Sequence, residues 1–120
     1  MKLFRMLFGK SKGADDQLRN IAAIVDRVEA EMRRIGYWKA SAPSELDPVA
    51  LYAGVSFEEW LQFVFIPSVR QAVKERDLRS IPPYRVGVAA LRQYDYHSKI
   101  PEAHSLMLLC HELEAALPPL

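Results

Sequence analysis

Cysteine is almost missing from this chain. Cys110 stands alone and has no partner for an internal disulfide, so nothing ties the fold to an oxidising compartment. Long apolar runs are missing as well: no stretch approaches the roughly 18 residues that a bilayer-spanning helix needs. Period-two alternation bounded by turn residues occurs nowhere, so no sheet is expected. Nucleophile-elbow, zincin, phosphate-loop and dinucleotide-binding glycine patterns are also absent, and with them the usual sequence signs of an enzyme. Acidic residues are lacking from residues 1–13, which carry Lys2, Arg5, Lys10 and Lys12. Arg5 breaks the apolar segment of this leader and no small-residue cleavage site follows, so no signal peptide is expected and the expected compartment is the cytoplasm.

Of the 120 residues, 50% are hydrophobic and 26% charged, the balance of one globular domain able to bury a core without staples. The formal net charge of +1 hides an asymmetry: the leader holds four of the 16 basic residues, and the rest of the chain sets 12 basic against 15 acidic side chains. A dedicated nucleic-acid-binding domain has a basic body. This body is mildly acidic. The chain therefore divides into a basic amphipathic leader, 1–13, and a body, 14–120. In the leader, Leu3, Phe4, Leu7 and Phe8 share one side of a helix, with Lys2 and Arg5 off that side. Such a segment either lies on an anionic membrane surface or frays and folds back on the body, and alone it is marginal as a helix.

Four helices are expected in the body. The first starts at Asp15 or Asp16, carries Leu18, Ile21, Val25, Val28, Met32 and Ile35 as a heptad seam, and ends at Gly36. Asp15–Arg19 and Glu29–Arg33 are its expected i, i+4 pairs. Residues 37–55 then form a connection of about 19 residues, long for a helix–helix loop. With Pro43, Pro48, Tyr37, Trp38 and Tyr52 it reads as ordered cover for the second helix, or as one wall of a groove. Ser56 and Glu59 mark a capping box, and from Trp60 to Ile66 every residue but Gln62 is apolar. Pro67 then removes a bond to the Phe63 carbonyl and is expected to kink this buried helix, the freed groups offering partners to Gln62. The third helix runs from about Tyr84 to Tyr94 with Tyr84, Val88, Leu91 and Tyr94 on one side, and Gly87 marks a close approach. The fourth opens at Pro101, shows Leu106, Leu109, Cys110, Leu113 and Leu117 as its stripe, and stops at Pro118-Pro119. The fold class is all-α, a compact antiparallel four-helix bundle with a long first loop and a Pro-kinked second helix.

Candidate chemistry is thin. His97, His104 and His111 stand seven apart, and on one helix His104 and His111 are separated by about 10.5 Å of rise, too far to share an ion. Cys110 sits in the apolar stripe, where a thiol is buried and inert. Glu58 and Glu59 fall on different helix faces. No catalytic residue, metal or cofactor is expected, and the protein is expected not to be an enzyme. Arg70, Lys74, Arg76, Arg79 and Arg85 gather positive charge around the turn between the second and third helices. With Tyr37, Trp38 and Tyr52 they are the candidate partner-binding residues, while Ser56, Glu59, Trp60, Gln62 and Pro67 carry structural roles. An Arg-rich turn is also what a solvated surface looks like, or an RNA backbone contact.

The run WLQFVFIP at residues 60–67 resembles the EWLQW-[VI]-[FL]-IPR segment of the YqcC-like family of small bacterial helical proteins. Tyr37-Trp38, Pro43, Pro83-Tyr84 and Ala90-Leu91-Arg92 fall in the order of that family, over roughly residues 15–115. Ser68 stands where the family has Arg, and the ALYAGVSF stretch before the second helix lacks the family's Asp. The resemblance implies a helical bundle labelled, through gene neighbourhood, with tRNA pseudouridine synthase C. A synthase of that kind carries a catalytic Asp in a longer mixed α/β domain, so the chain is expected to be a non-catalytic accessory protein of tRNA modification whose partner is the synthase. The alternatives are an RNA-contacting module using the Arg-rich turn and leader, or a peripheral membrane protein held by residues 1–13. The oligomeric state stays open.

Overall fold

The computed structural model describes residues 2–42, 56–96 and 99–119, with side chains for 13–42, 56–95 and 99–119. Among these residues there are four helices and no strand. Helix α1 is Lys2–Arg34. Helix α2 covers residues 57–75 in three end-to-end pieces: an α turn Phe57–Trp60, a π-helical turn Leu61–Phe65 and an α segment Ile66–Glu75. A 3₁₀ turn, Leu78–Ser80, leads to α3 at residues 86–96, which is α over Val86–Leu91 and π over Arg92–Tyr96. A second 3₁₀ turn, Pro101–Ala103, opens α4, His104–Ala116.

Cross-helix contacts fix the directions. Arg70 reaches Glu29 and Asp26 while Arg76 reaches Asp15, so α2 runs antiparallel to α1. Arg27 pairs with Glu112, and Gly87 lies on His111, so α4 runs antiparallel to both α1 and α3. The result is an up-down-up-down bundle. Its centre is the heptad seam of α1: Ile21, Val25, Val28 and Met32 are fully buried, joined by Ile24, and pack within the molecule rather than against a second copy. Around it pack Trp60, Leu61, Phe65, Ile66 and Val69 of α2, Val86, Ala90 and Tyr94 of α3, and Leu106, Met107, Cys110 and Leu113 of α4.

Several boundaries differ from expectation. Helix α1 does not start at Asp15 or Asp16 but runs unbroken from Lys2 through Gly9 and Gly13. Each glycine costs about 1 kcal/mol, yet a segment that elongates an existing helix is spared nucleation. Asp15 and Asp16 therefore lie inside the helix: Asp16, not Asp15, pairs with Arg19, and Asp15 reaches across to Arg76. The Glu29–Arg33 pair forms at 2.9 Å. Gly36, at φ 82°, ends α1 with its N–H and that of Tyr37 donating to the carbonyls of Arg33 and Met32. The same double bond closes α2, where Arg76 takes the left-handed conformation at φ 58°.

Pro67 disturbs α2 in a specific way. The turn before it widens to π geometry, with Ile66 N–H donating to the Leu61 carbonyl, so the Phe63 carbonyl is drawn from under the proline ring. Ser68, in place of the family's Arg, donates its hydroxyl to the Val64 carbonyl at 2.7 Å. On α3 the expected face was rotated. Val86, Gly87, Ala90 and Tyr94 are buried, whereas Leu91 is 38% exposed. Bulk pointed to Val88 and Leu91, but the helices touch at the residue without a side chain: a Cβ on Gly87 would lie 2.8 Å from His111 Nδ1 and 2.9 Å from its Cα.

Candidate partner-binding surface

The expected contact residues do not form one surface. They lie at opposite ends of α2, which at 1.5 Å per residue is about 28 Å long.

At the linker end, α1 gives way to Tyr37, Trp38 and Lys39. Gln62, 5% exposed, is the only buried polar residue among the described ones. Its partners are not the groups freed at Pro67. Lys39 N–H donates to Gln62 Oε1 at 2.8 Å and Gln62 Nε2 donates to the Lys39 carbonyl at 2.7 Å, so the side chain acts as a strand-like clamp on the linker. Half of the capping box forms: Glu59 N–H donates to Ser56 Oγ at 3.3 Å, while the Glu59 carboxylate pairs with the Lys39 ammonium. The Arg33 guanidinium stands 4.8 Å over the Trp38 ring.

Beneath this clamp lies a run of aromatic rings. Tyr37 and Tyr94 are 6.1 Å apart, Phe57 meets Tyr94 edge-on at 5.7 Å, and Trp60 contacts Phe57, Phe65 and Tyr84. Tyr94 donates its hydroxyl to Glu58 Oε1 at 2.8 Å. Burial raises the Tyr94 pKa far above the ordinary tyrosine value, and the Glu58 charge adds to it. Tyr37 is raised too, by burial first and by Glu102 and Glu58 next. Both phenols stay protonated. They serve as donors in a packed end of the fold. Tyr52 lies outside the described residues.

At the turn end, the five basic residues separate into two groups. Arg70 donates to Glu29 at 2.7 Å and to Asp26 at 3.0 Å, and its bond to Glu29, with that of Arg33, holds the Glu29 carboxyl below the usual range. Arg76 is paired with Asp15. These two arginines fasten α2 to α1. Arg79 touches only the Asp77 carboxylate, at 3.6 Å, and its side chain is 95% exposed. Lys74 and Arg85 are exposed and make no ion pair with another described residue. Arg79 and Arg85 flank a cleft of about 680 Å³ walled by Pro82, Pro83, Tyr84, Leu117, Pro118 and Pro119.

Among the described residues the one carboxylate in that cleft belongs to Glu114, whose spacing from Cys110 and His111 suggests a ligand pair and gives no sign of the role it has. Glu114 Oε1 accepts the N–H groups of Gly87 at 3.0 Å and Val88 at 3.4 Å, so it caps α3 from another helix. No local spacing signals this, because donor and acceptor are separated by the whole α3–α4 connection. The sole hint is negative: Arg85, at the N-cap position of α3, makes no capping bond.

Cys110, His111 and Glu114 do not share a pocket. Cys110 is fully buried, and burial pushes its thiol up to about 12. His111 is pressed on Gly87, His104 is exposed, and His97 lies outside the described residues. Among the described residues no three His, Cys, Asp or Glu side chains converge as metal ligands, and no helix is long and apolar enough to cross a membrane.

A family model described as tRNA pseudouridine synthase C (DUF446) matches residues 20–116, and the chain belongs to this family, in agreement with the YqcC-like segment at Trp60–Pro67. None of the curated proteins and none of the solved structures matches the chain.

Proposed function

We propose that the protein is a non-catalytic accessory protein of tRNA modification, and that it docks a protein partner in the cleft at the turn end of the bundle. The family description supplies the setting, tRNA pseudouridylation. The carrying observation is the state of the cleft: Arg79 and Arg85 stand exposed at its rim, while Glu114 inside it is committed to the α3 amides. Such a site offers apolar proline and tyrosine walls with net positive charge at the edge. It suits an extended segment with apolar side chains and acidic flanks, and a pseudouridine synthase bearing one is the proposed partner. The non-catalytic reading is supported by the chemistry of the reactive groups: the thiol is sealed in the core, and Glu58, Glu59, Glu29 and Glu114 each hold a structural partner.

The test is capture of the tagged full-length protein from its own lysate, with and without ribonuclease. A pseudouridine synthase retained after ribonuclease treatment, and lost with Arg79→Glu plus Arg85→Glu at unchanged melting temperature, is the expected result. Recovery of the synthase only without ribonuclease would transfer the turn to RNA binding. Recovery of no synthase in either arm would overturn the reading.

A further inference from the structure

Continuity of α1 changes what its first residues can do. Alone, residues 1–13 are too short to hold a helix. Residues 2–13 are instead the N-terminal turns of a 33-residue helix anchored by the core. The 3-4 spacing of the core seam then runs on without a break: Leu18, Ala14, Ser11, Leu7 and Phe4 occupy successive seam positions. The bundle covers this seam only in part. Leu18 is buried, but Ala14, one step earlier on the same face, is exposed, and Gly13 has nothing within 4 Å of where a Cβ would stand. From Leu18 back to Lys2 the helix rises about 24 Å.

Charge adds the second half. At 100° per residue, Leu3, Phe4, Leu7 and Phe8 fall within one arc of this extension. Lys2, Arg5, Lys10 and Lys12 fall on the remainder, with no acidic residue among the first 13. The topology also brings the extension to the turn end of the bundle, because Arg76 at the close of α2 meets Asp15. Lys74, Arg79 and Arg85 therefore stand at the pole from which the extension leaves. Asp15, Asp16, Glu75, Asp77 and Glu114 share this pole and balance its arginines and Lys74, so the excess of positive charge lies in the extension itself. A second copy of the same extension would bring four cations against four. An anionic lipid surface complements both faces of the helix at once.

We propose that the N-terminal extension of α1 is a membrane-surface anchor that lies on anionic lipid with its Leu-Phe arc in the interface, bringing the turn end of the bundle to the bilayer. This goes beyond the partner-docking role and does not depend on it.

The experiment is co-sedimentation of the full chain with phosphatidylcholine vesicles holding roughly 30% phosphatidylserine, against pure phosphatidylcholine, at about 0.1 M salt. Binding to the anionic vesicles is expected to exceed binding to the neutral ones on the order of several hundredfold, given roughly fivefold for each of the four basic residues near such a surface. The quadruple variant K2Q/R5Q/K10Q/K12Q should lose most of that difference. The double variant Phe4→Ser plus Leu7→Ser should lose binding at least about tenfold while its thermal melt stays unchanged, since both positions precede Leu18, the first core residue among the described side chains. Equal binding to neutral vesicles, or no sedimentation, overturns the proposal. So does binding that survives the apolar double variant, which would mark plain polyanion attraction of the kind RNA exerts. A lipid-free dimer that the double variant dissolves would assign the arc to a second copy instead.

Discussion

The linker end and the turn end of the bundle draw on the same residue types for opposite purposes. At the linker end, aromatic and charged side chains face each other: Tyr94 with Glu58, Lys39 with Glu59 and Gln62, Arg33 with Trp38. At the turn end, prolines wall a cleft, and Arg79 and Arg85 extend from its rim. Buried polar groups left unpaired are costly, so an end that packs over the core must satisfy every one of them. An end that stands in water carries no such requirement and keeps charge available for a partner. Composition alone does not separate these cases. What separates them is whether a partner lies within hydrogen-bond distance.

The largest break in this contrast is Trp60→Ala. Trp60 is buried against three other rings, and its loss should cost about 3–5 kcal/mol in urea denaturation. A cost under about 1 kcal/mol would mean that the linker end is not what holds the fold. Next comes Gln62→Ala, which leaves the Lys39 N–H and carbonyl without their partner and should cost about 2 kcal/mol. Amide exchange at Lys39 should speed up more than exchange in α4, a pattern that global destabilisation alone does not produce.

Tyr94→Phe should cost about 1.5 kcal/mol at neutral pH through its bond to Glu58. It also sharpens the comparison at high pH. In the folded protein burial and Glu58 hold the Tyr94 pKa above the ordinary tyrosine value of about 10, so the unfolded chain releases this proton first. The contribution of the group is therefore complete below about pH 10 and is lost as pH climbs beyond it. Stability of the variant should fall less steeply on that alkaline limb, measured by denaturant midpoints across the range. The smallest effect belongs to Arg70→Gln, under about 1 kcal/mol because the pair is partly solvated. Arg70 lowers the Glu29 pKa, so its contribution is present above the ordinary carboxylate pKa and fades as pH falls; the wild type and variant should converge on the acid side.

Much of the fold was legible because the signals are local. The heptad of α1, the Gly36 stop, the Ser56 cap and the polar exception at Gln62 each sit where a few neighbouring residues decide the outcome. What escaped was decided across the molecule. The buried face of α3 follows the contact of Gly87 with His111, the α3 cap comes from Glu114, and Asp15, Asp26 and Glu29 neutralise arginines assigned to a free cluster. The start of α1 lies earlier than the acidic pair at Asp15 and Asp16 signals, because a helix already anchored by its core carries Gly9 and Gly13. Of the candidate surface, the sequence shows the basic residues of the turn, but which of these cations are spent depends on the neighbouring helix.

The π turn at Leu61–Phe65 has a consequence for how this chain tolerates changes of length. A π turn is an α turn with one residue too many, an insertion that was never closed. Deleting Val64 would let the turn close while Ile66, Val69 and Ala72 keep their direction, whereas deleting one residue from the regular segment after Pro67 would swing everything beyond it by about 100°. Closing the turn, though, would bring a carbonyl under the proline ring, that of Gln62, which stands four residues before Pro67 once Val64 is gone. The surplus codon and the proline are thus a linked pair, and a relative that has lost one should also have lost the other.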